Sequence, residues 1–243
     1  MMDSGMKDEL AAARGARRRW LGVVVRHCSA LASLGLVAAA TAARAQGAKP
    51  ASAPAQAAPV LLVVGDSLSA EYGLPRGTGW VALLGRRLAE EKLGWRIVNA
   101  SISGDTTSGG RTRLPALLRE HRPQVVLIEL GGNDALRGLP LAMTQDNLTT
   151  MTRAAKAAGA RVLIAGMQVP PNYGRQYSED FARLFATVAK AENVALVPFL
   201  LAGVADGPDA ERLFQPDRIH PTSEAQPRML GNVWPVLRPL LRS

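Results

Sequence analysis

The chain has 243 residues and a formal net charge of +9, of which four belong to residues 1–45, where seven Lys or Arg face three acids. The remaining +5 is scattered over helical patterns with no basic run interleaved with aromatics, which argues against a nucleic-acid partner. The one cysteine, Cys28, also falls in this early stretch, so the rest of the chain has neither a disulfide nor a cysteine-based metal site and must draw its stability from packing.

Residues 1–45 read as an export signal that stands apart from the fold. Arg14, Arg17, Arg18 and Arg19 form a basic head, an apolar stretch runs from Cys28 to Ala40, and Ala43-Arg44-Ala45 fits a small-x-small cleavage site before Gln46. That thirteen-residue stretch is too short to span a bilayer. Arg17-Arg18-Arg19-Trp20-Leu21 resembles a twin-arginine export motif, and nothing like a lipobox precedes Cys28. The expected destination is the periplasm or the exterior. Residues 46–59, rich in Ala and Pro, are expected to form a flexible linker, with a single domain over residues 60–243.

Within that domain, short apolar runs alternate with helical patterns. Val60-Leu61-Leu62-Val63-Val64 predicts a buried parallel strand. Trp80, Leu83, Leu84 and Leu88 mark one face of a helix. Ile97-Val98 is a short strand, followed by a Gly/Thr/Ser loop from Ser101 to Gly110 and a helix through Leu114, Leu117 and Leu118. Val125 to Leu130 is the clearest buried strand. A helix from Leu141 to Ala158 ends at Gly159, and Val162 to Ala165 forms the next strand. Phe181, Leu184, Phe185 and Val188 mark a further helix, Val194 to Val197 the last strand, and Met229, Val233 and Leu237 a closing helix that Pro235 makes less regular. Such alternation predicts an α/β fold with parallel strands, right-handed crossovers and helices on both faces of the sheet.

Ligands of open α/β sheets bind beyond the carboxyl ends of the strands, and this rule sorts the polar residues. Ser67 follows the first strand, Gly104 lies in the loop after the second, and Gly131-Gly132-Asn133-Asp134 follows the third. Past residue 45 only two histidines occur. His121 directly precedes a strand and so falls at the opposite end, which leaves His220 as the one histidine placed to act as a base. Acyl transfer needs such a set: Ser67 Oγ as nucleophile, His220 as general base and acid, and Asp217 to fix the imidazole tautomer. The N–H of Ser67, the N–H of Gly104 and the side-chain amide of Asn133 can serve as oxyanion donors. Taken singly, each motif also has an ordinary structural reading, as a turn after a strand or as a cap on the last helix. Asp66 and Asp134 are expected to brace their turns. Glu129, inside an apolar strand, needs a partner if buried.

The ordered set resembles the Ser-Gly-Asn-His hydrolases, often called GDSL esterases, over nearly all of residues 60–243. Val98-Asn99-Ala100-Ser101-Ile102-Ser103-Gly104-Asp105-Thr106, Glu129-Leu130-Gly131-Gly132-Asn133-Asp134, Pro171-Asn172-Tyr173-Gly174-Arg175, Ile219-His220-Pro221 and Ala225-Gln226-Pro227 look most like the periplasmic thioesterase/lysophospholipase/arylesterase group. Arg218 is a departure, standing where a glycine is common. The resemblance implies a flavodoxin-like three-layer α/β/α sandwich with a central parallel five-stranded sheet, a Ser67-His220-Asp217 triad, an oxyanion hole of Ser67, Gly104 and Asn133, no metal and no organic cofactor.

The loops Ala135 to Pro140 and Val169 to Tyr173 are apolar enough to receive an acyl chain, with Leu68, Leu136, Pro171 and Tyr173 as candidate contacts. The expected substrates are fatty acyl esters, thioesters and lysophospholipids, hydrolysed by a monomer with no stable membrane insertion. The rival readings are a carbohydrate O-acetyl esterase on the same fold and a non-catalytic lipid or cell-wall binding module. An FMN protein is disfavoured, because the first loop lacks an obvious phosphate-cradling run.

Overall fold

The computed structural model describes residues 58–242. The export signal expected over residues 1–45 and nearly all of the linker expected over residues 46–59 lie outside the described residues.

Five strands form one parallel sheet: β1 (Val60–Gly65), β2 (Arg96–Asn99), β3 (Val125–Glu129), β4 (Arg161–Ala165) and β5 (Ala195–Val197), in the order β2-β1-β3-β4-β5. Every residue of β1 and β3 is buried, which is why these segments read as unbroken apolar runs instead of alternating ones. The helices are α1 (Trp80–Glu90), α2 (Thr107–His121), α3 (Gly132–Leu136), α4 (Leu141–Ala157), α5 (Arg175–Glu192), α6 (Ala210–Leu213) and α7 (Gln226–Leu237). α1 packs with α7, while α2 packs with α4 and α4 with α5, so two helical layers enclose the sheet, as right-handed crossovers in this strand order require. This is the α/β/α sandwich.

Two loops carry more helix than their sequence suggests. The Gly/Thr/Ser stretch expected to run as loop to Gly110 stops at Thr106, whose side chain accepts the Gly109 N–H and caps α2. Ser108, Gly109 and Gly110 are therefore helical, and Gly110 permits close contact, since a Cβ there would overlap Leu130. Gly131-Gly132-Asn133-Asp134 is not a simple turn either, because Gly132 opens the short helix α3. Pro235 does not end α7, which continues to Leu237 and then tightens into a 3-10 turn over Arg238–Leu241.

The core is continuous across both layers. Phe181 and Phe185 on α5 meet edge to face at 5.2 Å against the sheet. At the end of β4 the backbone itself is packed: the Gly166 N–H donates to Val197 O, and the Leu200 N–H donates to Gly166 O. A Cβ at position 166 would overlap the Pro198 carbonyl oxygen and lie 3.0 Å from that of Val197. Because these are backbone atoms, Gly166→Ala is expected to cost about 1–3 kcal/mol, measured as a lowered urea midpoint at unchanged m-value.

Candidate active site

β1 ends at Gly65, and the chain turns sharply through Asp66, Ser67 and Leu68. The Asp66 carboxylate drives that turn by accepting the Leu68 N–H at 3.0 Å, while the Asp66 carbonyl accepts the N–H of Ser69 and Ala70. Glycine is needed at position 65, because a Cβ would stand 2.7 Å from Glu129 Oε2 and 2.8 Å from Ser69 Oγ. The turn leaves Ser67 partly exposed at the carboxyl edge of the sheet and sends Leu68 inward. Leu68, expected to touch an acyl chain, is instead a core residue only 9% exposed.

The partner groups arrive from the far end of the chain. His220 Nε2 lies 2.9 Å from Ser67 Oγ, across 153 residues, and His220 Nδ1 lies 2.7 Å from Asp217 Oδ2. The other Asp217 oxygen accepts the backbone N–H of Ile219 and of His220, each at 3.0 Å. Burial pushes the Asp217 carboxyl up, but the His220 ring bond, the two backbone bonds and the His220 charge outweigh it and hold it at about 2. An ionised Asp217 at neutral pH keeps the Nδ1 proton facing it and so leaves Nε2 free to accept from the serine.

Glutamine side chains lock this segment to the front of the domain. Gln215 Nε2 donates to the carbonyls of Tyr72 and Pro221, and Gln226 Oε1 accepts the Trp80 N–H at the start of α1. A short antiparallel bridge between Phe214 and Pro221 closes the loop. The Tyr72 ring packs on the imidazole of His220 at 4.3 Å between centroids. Sequence reasoning missed Tyr72, and no one-dimensional pattern points to it.

Two further loops complete the edge. Gly104 sits at φ +79°, a left-handed conformation that favours glycine, and Arg137 Nη2 donates to its carbonyl at 2.7 Å. Arg113 braces the same loop from α2 through Asp105 and the carbonyls of Ala100 and Gly65. Asn133 Nδ2 donates to Asp66 Oδ2 at 3.0 Å, which ties the loop after β3 to the turn after β1. Asp134 accepts from the N–H and hydroxyl of Thr107 and from Thr144, so it joins α3, α2 and α4. Among the described residues, neither the Ser67 N–H nor the Gly104 N–H donates to a protein acceptor. These donors and the second Asn133 amide hydrogen are left for a ligand.

The exposed large hydrophobic residues among those described are Tyr72, Ile102, Leu136, Tyr173 and Ile219, and each lies in a segment that follows the carboxyl end of a strand. Leu136 and Tyr173 thus present apolar surface. The side chain of Pro171 lies outside the description. His121 closes α2 at the amino-terminal end of β3, away from the site.

Residues 63–227 match the model of the GDSL-like lipase/acylhydrolase family. Among curated proteins, the chain is 57% identical to the esterase TesA of Pseudomonas aeruginosa over 185 residues, covering 76% of this chain and 90% of that protein. It is 42% identical to thioesterase 1/protease 1/lysophospholipase L1 of Escherichia coli K12 over 187 residues, covering 77% and 87%. Among solved structures, the psychrotrophic esterase EstA from Pseudoalteromonas sp., inhibited by monoethylphosphonate, superposes with a TM-score of 0.71 at 38% identity, over 76% of this chain and 99% of that one.

Arg218, the departure noted in the sequence, sits at φ +57°. A glycine is common there because a Cβ in that region costs about 1–2 kcal/mol. Part of the gain on removing it is lost to the greater unfolded-state freedom of glycine. Arg218→Gly is therefore expected to raise stability by up to about 1 kcal/mol in urea denaturation, and the β-branched Arg218→Val to lower it.

Proposed function

This chain belongs to the GDSL-like lipase/acylhydrolase family, and we propose that it is a serine esterase and thioesterase that cleaves fatty acyl esters, acyl-CoA thioesters and lysophospholipids through an acyl-enzyme. The observation that carries this reading is the hydrogen-bond relay from Asp217 through His220 to Ser67, facing backbone N–H groups with no acceptor of their own.

In the proposed reaction Ser67 Oγ attacks the acyl carbonyl while His220 Nε2 takes its proton. Asp217 stabilises the imidazolium so formed. The carbonyl oxygen becomes an oxyanion held by the N–H of Ser67, the N–H of Gly104 and the Asn133 amide, donors fixed before charge develops. Collapse of the tetrahedral intermediate expels an alkoxide or thiolate, which receives the proton from His220. Water then attacks the acyl-serine by the same route in reverse. Residues 217 and 220 act as a pair, and their short loop keeps the carboxylate and imidazole in register through the backbone bonds to Asp217.

Exposed apolar side chains support long acyl chains over acetate, because Tyr72, Ile102, Leu136, Tyr173 and Ile219 all follow the carboxyl ends of strands and offer surface that an acyl chain would cover. A carbohydrate O-acetyl esterase would have no use for that surface. The names of the two curated relatives, an esterase and a thioesterase/lysophospholipase, point to oxygen and sulfur esters alike. The enzyme acts in the periplasm or outside the cell, a reading that the signal-like residues 1–45 and the linker-like residues 46–59 support, and we propose that it does so as a monomer. It binds no nucleic acid and keeps no stable membrane insertion after the signal is removed; no described helix is long and apolar enough to cross a membrane.

Ser67→Ala and His220→Ala are each expected to lower kcat on the order of 10⁴-fold or more while leaving the circular dichroism spectrum and melting unchanged. Near-wild-type turnover in either folded variant removes that residue from the mechanism. A chain-length series of p-nitrophenyl esters and acyl-CoAs is expected to give kcat/KM rising beyond acetate. A preference for acetate favours the O-acetyl esterase, and no turnover at all, together with no labelling of Ser67 by a fluorophosphonate, leaves a binding module.

A further inference from the structure

Two carboxyl groups beneath the nucleophile take no part in the proposed relay. Asp66 is 2% exposed and Glu129 fully buried, and the parallel register sets Gly65 directly beside Glu129. Their hydrogen bonding is unequal. Asp66 accepts at both oxygens, from the Leu68 N–H on one and from Asn133 Nδ2 on the other, each at 3.0 Å. Among the described residues Glu129 accepts at only one: Oε2 takes the Ser69 hydroxyl at 2.7 Å and the Asp66 N–H at 3.2 Å, while Oε1 has no partner. A buried carboxylate with one bare oxygen costs far more than a neutral carboxyl in the same place.

Among the described residues, no cation is paired with either group. Arg113, which approaches from α2, spends its guanidinium on Asp105 and on the carbonyls of Ala100 and Gly65. Asp134 on α3 is turned to Thr107 and Thr144. His220, itself held by Asp217, is among the described residues the one potential positive charge that acts on Asp66. Two like charges this close and this buried do not both ionise. Burial raises both groups: Asp66 to about 6, with its hydrogen bonds and the His220 charge pulling it back down, and Glu129 well above the usual carboxylate range, with the Asp66 charge adding to burial.

We propose that this pair carries one proton, held on Glu129, and that the charge left on Asp66 makes it a positioning residue that aims the Asn133 amide at the oxyanion. An amide has two N–H bonds in one plane, so anchoring one on Asp66 fixes the direction of the other. The role rests on the hydrolase reading above; the protonation does not.

The test compares isosteres. In Asp66→Asn one amide can set its Nδ2 against that of Asn133, donor facing donor, so kcat is expected to fall about 10- to 100-fold, short of the full loss of an oxyanion donor, with KM within about twofold. Glu129→Gln, a neutral mimic of the protonated acid, is expected to keep kcat within about threefold. Infrared difference spectra of wild type against Glu129→Gln at neutral pH are expected to contain the C=O band of a protonated carboxyl. That band is read on the wild-type protein, and Ser69→Ala, which removes its hydrogen bond, must shift it if Glu129→Gln does not fold. Absence of the band overturns the shared proton. Wild-type kcat in a folded Asp66→Asn, or equal losses in both variants, overturns the positioning role alone. No turnover by the wild type overturns the hydrolase reading and the positioning role with it.

Discussion

A 2.9 Å contact between groups 153 residues apart is the constraint on which the site depends. Neither a serine hydroxyl nor an imidazole is distinctive alone, and their chemistry begins when the second can take a proton from the first. Bringing them together obliges the domain to fold its first and last thirds against one another. The packing of α1 with α7 does this, helped by the Gln226 side chain that satisfies the first N–H of α1. The C-terminal helix is therefore part of the site even though it supplies no reacting atom.

The sheet does the remaining assembly. In the order β2-β1-β3-β4-β5, chain direction reverses its drift between β1 and β3, and the loops leaving those two strands separate to open a crevice. Ser67 and Asn133 lie on the two sides of that crevice. The Asp66–Asn133 hydrogen bond crosses it at the base. Loops placed by buried strands hold their groups more firmly than loops on their own would, which is what preorganised oxyanion donors require.

Much of this was legible along the chain because its determinants are local. An unbroken apolar run followed by Gly65-Asp66-Ser67 marks a strand and its turn, and the strand-end rule assigns His121 and His220 to opposite ends. What escaped depends on three-dimensional neighbours. Tyr72 reaches His220 only after the turn at Ser67 has formed, and Arg137 finds the Gly104 carbonyl across two loops. Leu68 enters the core at a turn that the Asp66 carboxylate braces, and no hydropathy pattern encodes that turn. The helical start at Thr107 was hidden by Ser108, Gly109 and Gly110, residues poor in helix propensity that are accepted because α2 must come close to Leu130. The unusual Arg218 was visible, but its meaning required the backbone angle.

The acid and base stand on a long stretch between β5 and α7 that contains little regular structure beyond the four residues of α6. It is held by buried Leu200, Val204 and Leu213 and, nearer the acid and base, by the hydrogen bonds of Gln215 and of Gln226 at the start of α7. Segments of this kind open at lower free energy than the strands beneath them. The reacting imidazole therefore sits on the part of the domain with the least regular scaffolding, and its distance from the serine depends on side-chain amides as well as on the depth of the hydrophobic interior.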